Sequence, residues 1–141
     1  MKYNPSSLSA TLAGQIYCSG WNNDASNSGN IYPTENSYVS RIVVSGGAHA
    51  SNSGTYIRAT VYVYFKDGTS TLLFNQTKTC NFKPTNPTFY PADMWGTEKT
   101  LQIDHIYAYV SSGNHLGGAD NDPYHSSCVS LYCTGLPWTT D

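Results

Sequence analysis

The stretch Ile57 to Lys66 constrains the fold more than any other part of the chain. Ile57, Ala59, Val61, Val63 and Phe65 alternate with Arg58, Thr60, Tyr62, Tyr64 and Lys66. A period of two puts the aliphatic set on one side of an extended strand and the polar, phenolic set on the other. Asp67-Gly68 follows directly and signals a two-residue hairpin turn, with a partner strand from Thr69 to about Gln76. One buried face and one wet face is the pattern of an antiparallel sheet.

Other segments repeat the pattern. Leu8 to Cys18 sets Leu8, Ala10, Leu12, Gly14, Ile16 and Cys18 on one face. Tyr38 to Val44 is rich in β-branched residues, as strands are. Thr100 to Val110 alternates too, but its phase changes midway: Leu101 and Ile103 share one face, while Ile106, Ala108 and Val110 share the other. A bulge near Asp104-His105 reconciles the two halves. Ser126 to Cys133 reads as a last strand, and Leu136-Pro137-Trp138 as a tail that docks through its indole. Pro84, Pro87 and Pro91 make Cys80 to Pro91 a loop. No segment carries a helical period behind a capping residue. Short strands divided by Gly/Asn/Ser loops predict an all-β chain, one antiparallel β-sandwich or jelly-roll domain spanning residues 1–141. A chain of this length buries roughly two-thirds of its unfolded surface, enough for one core.

Composition narrows the function. Charged residues are 11% of the chain, and the 12 Tyr and 12 Gly stand among many Ser, Thr and Asn. Such a surface bonds water, sugars and neighbouring proteins without strong long-range fields. The net charge is −2 and the seven Lys and Arg are scattered singly, which argues against nucleic acid and anionic membrane as partners. No apolar run approaches the ~18–20 residues of a membrane-spanning helix. The first residues, Met-Lys-Tyr-Asn-Pro-Ser-Ser, lack the apolar stretch of a secretory leader, which fits assembly on a virion or a secreted form without its leader.

Four cysteines, Cys18, Cys80, Cys128 and Cys133, are disulfide candidates, with buried free thiols as the other reading. Cys128 and Cys133 would sit about 17 Å apart in one straight strand. A bridge needs Cα atoms within about 7 Å, so that pair closes only across a turn. No Cys-x-x-Cys suggests zinc.

Two constellations are candidate sites. Tyr62 and Tyr64 lie on the outer face of the Ile57–Lys66 strand with Arg58, and Trp21 begins a polar loop. Phenol and indole rings stack on the apolar faces of sugars and also anchor protein contacts, so these four residues are the candidate ligand-binding set. Asp120 and Asp122, with Asn114, offer hard oxygens for calcium, although no Glu closes the loop as in an EF-hand. His115 and His125 are alternative ligands for a transition metal. Otherwise no cofactor is expected. Catalysis is hard to build: the two Glu, Glu35 and Glu98, sit in loop-like contexts, and no nucleophile elbow, zinc helix or phosphate loop is present. The chain is expected not to be an enzyme. Asn75-Gln76-Thr77 is a formal glycosylation sequon.

A near-repeat, Ala25-Ser26-Asn27-Ser28-Gly29 and Ala50-Ser51-Asn52-Ser53-Gly54, follows strands ending in Ser-Gly at Ser19-Gly20 and Ser45-Gly46; a third such end is Ser112-Gly113. It reads as loop composition, or as related loops at one end of a sandwich.

In composition, and in strands such as Ile106-Tyr107-Ala108-Tyr109-Val110-Ser111-Ser112-Gly113, the chain resembles phage tail, fibre and capsid-decoration domains and small lectin-like β-sandwiches. No diagnostic motif accompanies the resemblance, so no site residue is carried over from it. It implies a non-catalytic virion or extracellular protein that self-associates or joins other structural subunits and presents a receptor- or glycan-facing surface. A free-standing carbohydrate-binding module is the alternative.

Overall fold

The computed structural model of the chain describes residues 2–3, 9–21, 23–49, 55–79, 87–114, 124–136 and 138–139. The elements in chain order are β1 (Lys2–Tyr3), β2 (Ala10–Trp21), β3 (Ala25–Ile31), β4 (Ser37–His49), β5 (Thr55–Phe65), β6 (Ser70–Thr79), β7 (Thr88–Phe89), α1 (Pro91–Trp95), α2 (Thr97–Thr100), β8 (Ile103–Asn114), β9 (Tyr124–Gly135) and β10 (Trp138–Thr139).

Two four-stranded sheets carry the fold, in the orders β2-β9-β4-β7 and β3-β8-β5-β6; β1 and β10 form a separate two-stranded ribbon. All the pairings are antiparallel and they nest: β2 with β9, β3 with β8, β4 with β7, β5 with β6. Successive nested pairs go to alternate sheets, and β9–β4 and β8–β5 pairings stitch each sheet together. A long hairpin wound over itself in this way is a jelly roll, an eight-stranded double sheet. The expected all-β sandwich is therefore the observed fold, in its jelly-roll form.

The alternation of β5 works as expected from Ala59 to Phe65, while Ile57, expected inside with them, is only half-buried. Ala59, Val61, Val63 and Phe65 are buried, and they meet Ile106, Ala108 and Val110 of β8 and Val39, Ile42, Val44, Val129 and Leu131 of the facing sheet in one core. The phase change in β8 is a bulge: Tyr64 pairs with His105 but Phe65 with Ile103, so Asp104 has no partner and both isoleucines point inward. The strand begins at Ile103; Thr100 closes α2 instead and Leu101 caps it. The β5–β6 turn is one residue longer than expected. Gly68 N–H donates to the Phe65 carbonyl at 3.0 Å and Phe65 N–H to the Thr69 carbonyl at 2.8 Å, with Gly68 at φ 90°. This is a turn followed by a left-handed residue, where glycine avoids a Cβ clash.

Several features were not anticipated. A bulge between Leu12 and Gly14 shifts the phase of β2, so Leu12, expected on the face of Gly14, Ile16 and Cys18, is 50% exposed and Ala13 packs against the core instead. Ala25–Ile31, which reads as loop, is the edge strand β3, paired with β8 along its whole length. The Pro-rich segment, read as a loop, carries the two-residue edge strand β7 paired with β4, and the helices α1 and α2 follow it; Pro91 supplies the preset φ of a first helical turn. Neither is long and apolar enough to cross a membrane. On the β2–β3 side the sheets nearly touch: a Cβ on Gly14 would stand 2.9 Å from Ile31 Cγ2. Only a residue without a side chain lets the edges close there.

Register places the end of β2, the start of β3, the end of β4, the start of β5, the end of β8 and the start of β9 together, since Trp21 and His49 both pair with Tyr124 while Thr55 pairs with Asn114. The connections that follow all three Ser-Gly strand ends therefore leave from one end of the sandwich. The first Ala-Ser-Asn-Ser-Gly copy is strand β3; the second lies outside the described residues.

Candidate functional site

The outward positions of β3, β8, β5 and β6 form a continuous face. Tyr64 pairs with His105, Tyr62 with Tyr107, Thr60 with Tyr109 and Arg58 with Ser111. In the adjoining edge strand Asn30 pairs with Tyr107 and Ser28 with Tyr109. From Arg58 to Tyr64 is six residues, about 20 Å along the strand. Tyr62, Tyr64 and Arg58 are thus on one surface, as the alternation requires.

At one end of the face the His105 imidazole lies between two phenols. It stacks on Tyr64 at 4.7 Å between centroids and 8° between planes, and meets Tyr32 at 5.0 Å and 36°. His105 Nδ1 donates to the Asp104 carboxylate at 2.7 Å, which fixes the ring's rotation. The bulge at Asp104 makes this possible, because it frees that residue to lie beside the ring it orients. Tyr32 is 58% exposed and Tyr62 37% exposed, and Leu72 beside Tyr62 is also largely open to solvent. Tyr62 and Leu72 stand on the sheet itself, and Tyr32 on the connection that follows β3.

At the other end lies a depression of about 460 Å³ lined by Asp24, Ser26, Tyr56, Arg58, Thr77 and Tyr109, among others. The Arg58 guanidinium carbon stands 5.9 Å from the Tyr109 ring centre, over its face. Burial, and then the Asp24 carboxylate that accepts its hydrogen bond, push the Tyr56 hydroxyl above its ordinary value, so it stays protonated. Gly113 leaves the space that this carboxylate occupies; a Cβ there would overlap it. Cation, carboxylate, phenols and hydroxyls converge here, able to both donate and accept hydrogen bonds.

Trp21 does not join this set. It points outward from the opposite sheet, where it meets Tyr124 at 5.1 Å and 57°. Asp120 and Asp122 lie outside the described residues, and Asn114 is described only as the last residue of β8, so the calcium expectation falls outside the description. His115 lies outside it too, while His125 is wholly buried and turned to the core.

The disulfide expectation needs correction for three of the four cysteines. Cys18, Cys128 and Cys133 are free and buried. Cys128 and Cys133 share the unbroken strand β9 on opposite faces, with no turn to bring them together. Cys133 joins the core, whereas Cys128 Sγ donates to Gln15 Oε1 at 3.8 Å on the outer side. Cys80 lies outside the described residues.

Sequence reasoning also missed a buried polar chain at the loop-bearing end. His125 Nδ1 is 2.7 Å from Ser112 Oγ, which is 3.6 Å from Cys18 Sγ. The first distance is that of a nucleophile and its base. Both Ser112 and His125 are 0% exposed, so no substrate reaches them from solvent, and the pair bonds the two sheets together from inside. Burial raises the Cys18 thiol and lowers the His125 imidazole, so both stay neutral.

No family model and no curated protein matches the chain. Among solved structures, it is similar to the VP2 subviral particle of infectious bursal disease virus, with TM-score 0.36, 19% identity, and coverage of 92% of this chain and 32% of that one. The infectious bursal disease virus Gx strain gives 0.35, 18%, 92% and 32%. A carbohydrate-binding module, TmCBM61 in complex with β-1,4-galactotriose, gives 0.42, 10%, 94% and 90%. The chain spans about a third of the length of the viral chains. Superpositions this loose leave the fold to be read from the nested strand pairing, and the function from the residues on the sheet faces.

Proposed function

We propose that this is a non-catalytic recognition domain, on a virion or outside a cell, that binds glycans on the outer face of the β3-β8-β5-β6 sheet. The observation that supports it most is the stack Tyr32–His105–Tyr64, continued along the sheet by Tyr62 and Tyr107 and ending at the Arg58 depression. Rings already held in place by their neighbours offer apolar area at little ordering cost, and a sugar carries one C–H-rich face to lie on those left open, Tyr32 and Tyr62. The hydroxyls and amides between the rings suit the sugar's edges. The length of the face suits an oligosaccharide along the strands more than a single terminal sugar. The low charge of the chain fits a neutral glycan.

A glycan array probed with the wild-type chain tests the reading. Binding should appear on one class of neutral glycan, and Tyr62→Ala with Tyr64→Ala should abolish it while leaving the circular dichroism unchanged. A blank array, with and without calcium, counts against it. Self-assembly is a second part of the reading, supported by β6, a ten-residue edge strand without proline. Sedimentation at micromolar concentrations should then show a defined oligomer.

A further inference from the structure

The outer face of the opposite sheet carries a second ring cluster that the tyrosine face does not use. Trp21 is 59% exposed. Its backbone is held in β2 by pairing with Tyr124, and its N–H donates to Asn23 Oδ1 at 3.1 Å. The Tyr124 ring is braced in turn, because its hydroxyl bonds the Tyr17 hydroxyl at 3.1 Å. This bond, more than burial, pushes the Tyr124 hydroxyl above its usual value. The 57° between indole and phenol makes an open notch, not a closed stack. Ser19 and Ser126 lie beside it on the same face, and the outward positions of β2 and β9 around the notch (Gln15, Tyr17, Ser19; Ser126, Cys128, Ser130) include no charged residue.

We infer that this notch is a second sugar-binding site, specific for a neutral hexose unit. The hexose lays its C–H face on the exposed indole and turns its hydroxyls to the Tyr17–Tyr124 pair and Ser19. Among the described outward positions of β2 and β9 around the notch there is no Lys, Arg, Asp or Glu, which favours a neutral sugar over an acidic one. The two sheets lie back to back, about 10 Å apart, so the notch faces away from the Tyr62/Tyr64 surface. A single chain can then hold two glycan strands at once and cross-link them. The cross-linking rests on the proposed function of the tyrosine face, whereas the Trp21 site does not.

The test is a fluorescence titration with neutral hexoses and their linear oligomers, run on the wild type, Trp21→Ala, Tyr62→Ala/Tyr64→Ala and the combination, each checked for fold by circular dichroism. The expected result is a Trp21-dependent change that persists in the tyrosine variant, weakened by at least about tenfold in Trp21→Ala and partly kept in Trp21→Phe. Wild type should agglutinate glycan-coated beads and either single-site variant should not. If one site remains and Trp21→Ala removes it, the tyrosine face fails and this inference stands. It is overturned if Trp21→Ala binds every sugar as the wild type does, if no hexose alters the fluorescence, or if Trp21→Ala changes only the sedimentation of the chain, which would make the notch a protein interface.

Discussion

His125 should make the fold sensitive to mild acid. The imidazole is fully buried, one nitrogen is committed to Ser112 Oγ, and Nε2 has no hydrogen-bond partner among the described residues. Burial is the main force lowering its pKa; the Asn23 backbone and the Asp24 carboxylate oppose it more weakly. In the unfolded chain an ordinary histidine takes up its proton near pH 6.5. The folded chain takes it up only at a lower pH, so between these values the unfolded state binds more protons. Stability therefore rises with pH across that window, is full above about 6.5, and is lost as the pH falls toward the folded pKa. One proton gives a limiting slope of about 1.4 kcal/mol per pH unit, a tenfold change in the folded-to-unfolded ratio. Urea denaturation of the wild type and His125→Gln, from pH 7.5 to pH 5, isolates the effect. Groups that do not interact with His125 contribute alike to both curves and cancel, and glutamine keeps a polar partner for Ser112. The wild type should lose stability more steeply than the variant below pH 6.5. Parallel curves would refute the reasoning, because they would mean the buried imidazole takes up its proton as easily folded as unfolded.

Other consequences are as direct. Ile106→Ala removes a fully buried side chain at the centre of the sandwich and should cost about 2–5 kcal/mol in chemical denaturation. Gly14→Ala presses a methyl against Ile31 across the closed edge and should cost about 1–3 kcal/mol, much of it recovered by adding Ile31→Ala. Gly113→Ala should displace the Asp24 carboxylate and weaken glycan binding with little change in core contacts, measured by calorimetric titration alongside thermal melting. A thiol assay without reductant should count at least three thiols once the chain is unfolded and much slower reaction before; two or fewer would contradict the free cysteines.

How much was legible in the residues depended on how far each strand divides water from core. From Ala59 to Phe65, β5 separates aliphatic from phenolic positions, and even the bulge in β8 was readable, because Ile103 and Ile106 cannot share a face at odd spacing unless one residue is extra. β3 was illegible for a physical reason. At Gly29 the two sheets approach too closely for the valine or leucine of an interior strand, since a Cβ there would stand 3.1 Å from Ile16 Cδ1, and Asn27 is exposed with its amide donating to the Tyr17 carbonyl. The helices, five and four residues long, are too short to show a period. Strand order is a long-range property: β2 and β9 pair across more than a hundred residues, and nothing local encodes it.

The same holds for the site. Tyr62, Tyr64 and Arg58 were visible because they share one strand. Their neighbours Tyr32, His105 and Tyr107 come from β8 and the loop after β3, and only the pairing brings them together, although the alternation of Tyr107 and Tyr109 in β8 was a signal to be read. Trp21 looked like a fourth member because sequence shows an aromatic residue beside a polar loop and cannot show which sheet carries it.

The central claim concerns one surface, and ring resonances report on it directly. With tyrosine rings isotope-labelled, addition of the strongest array ligand should shift Tyr32, Tyr62, Tyr64 and Tyr107 together and leave Tyr38 and Tyr132 in place. Shifts confined to the opposite sheet, or spread evenly over every tyrosine, would contradict a binding face built on β3, β8, β5 and β6.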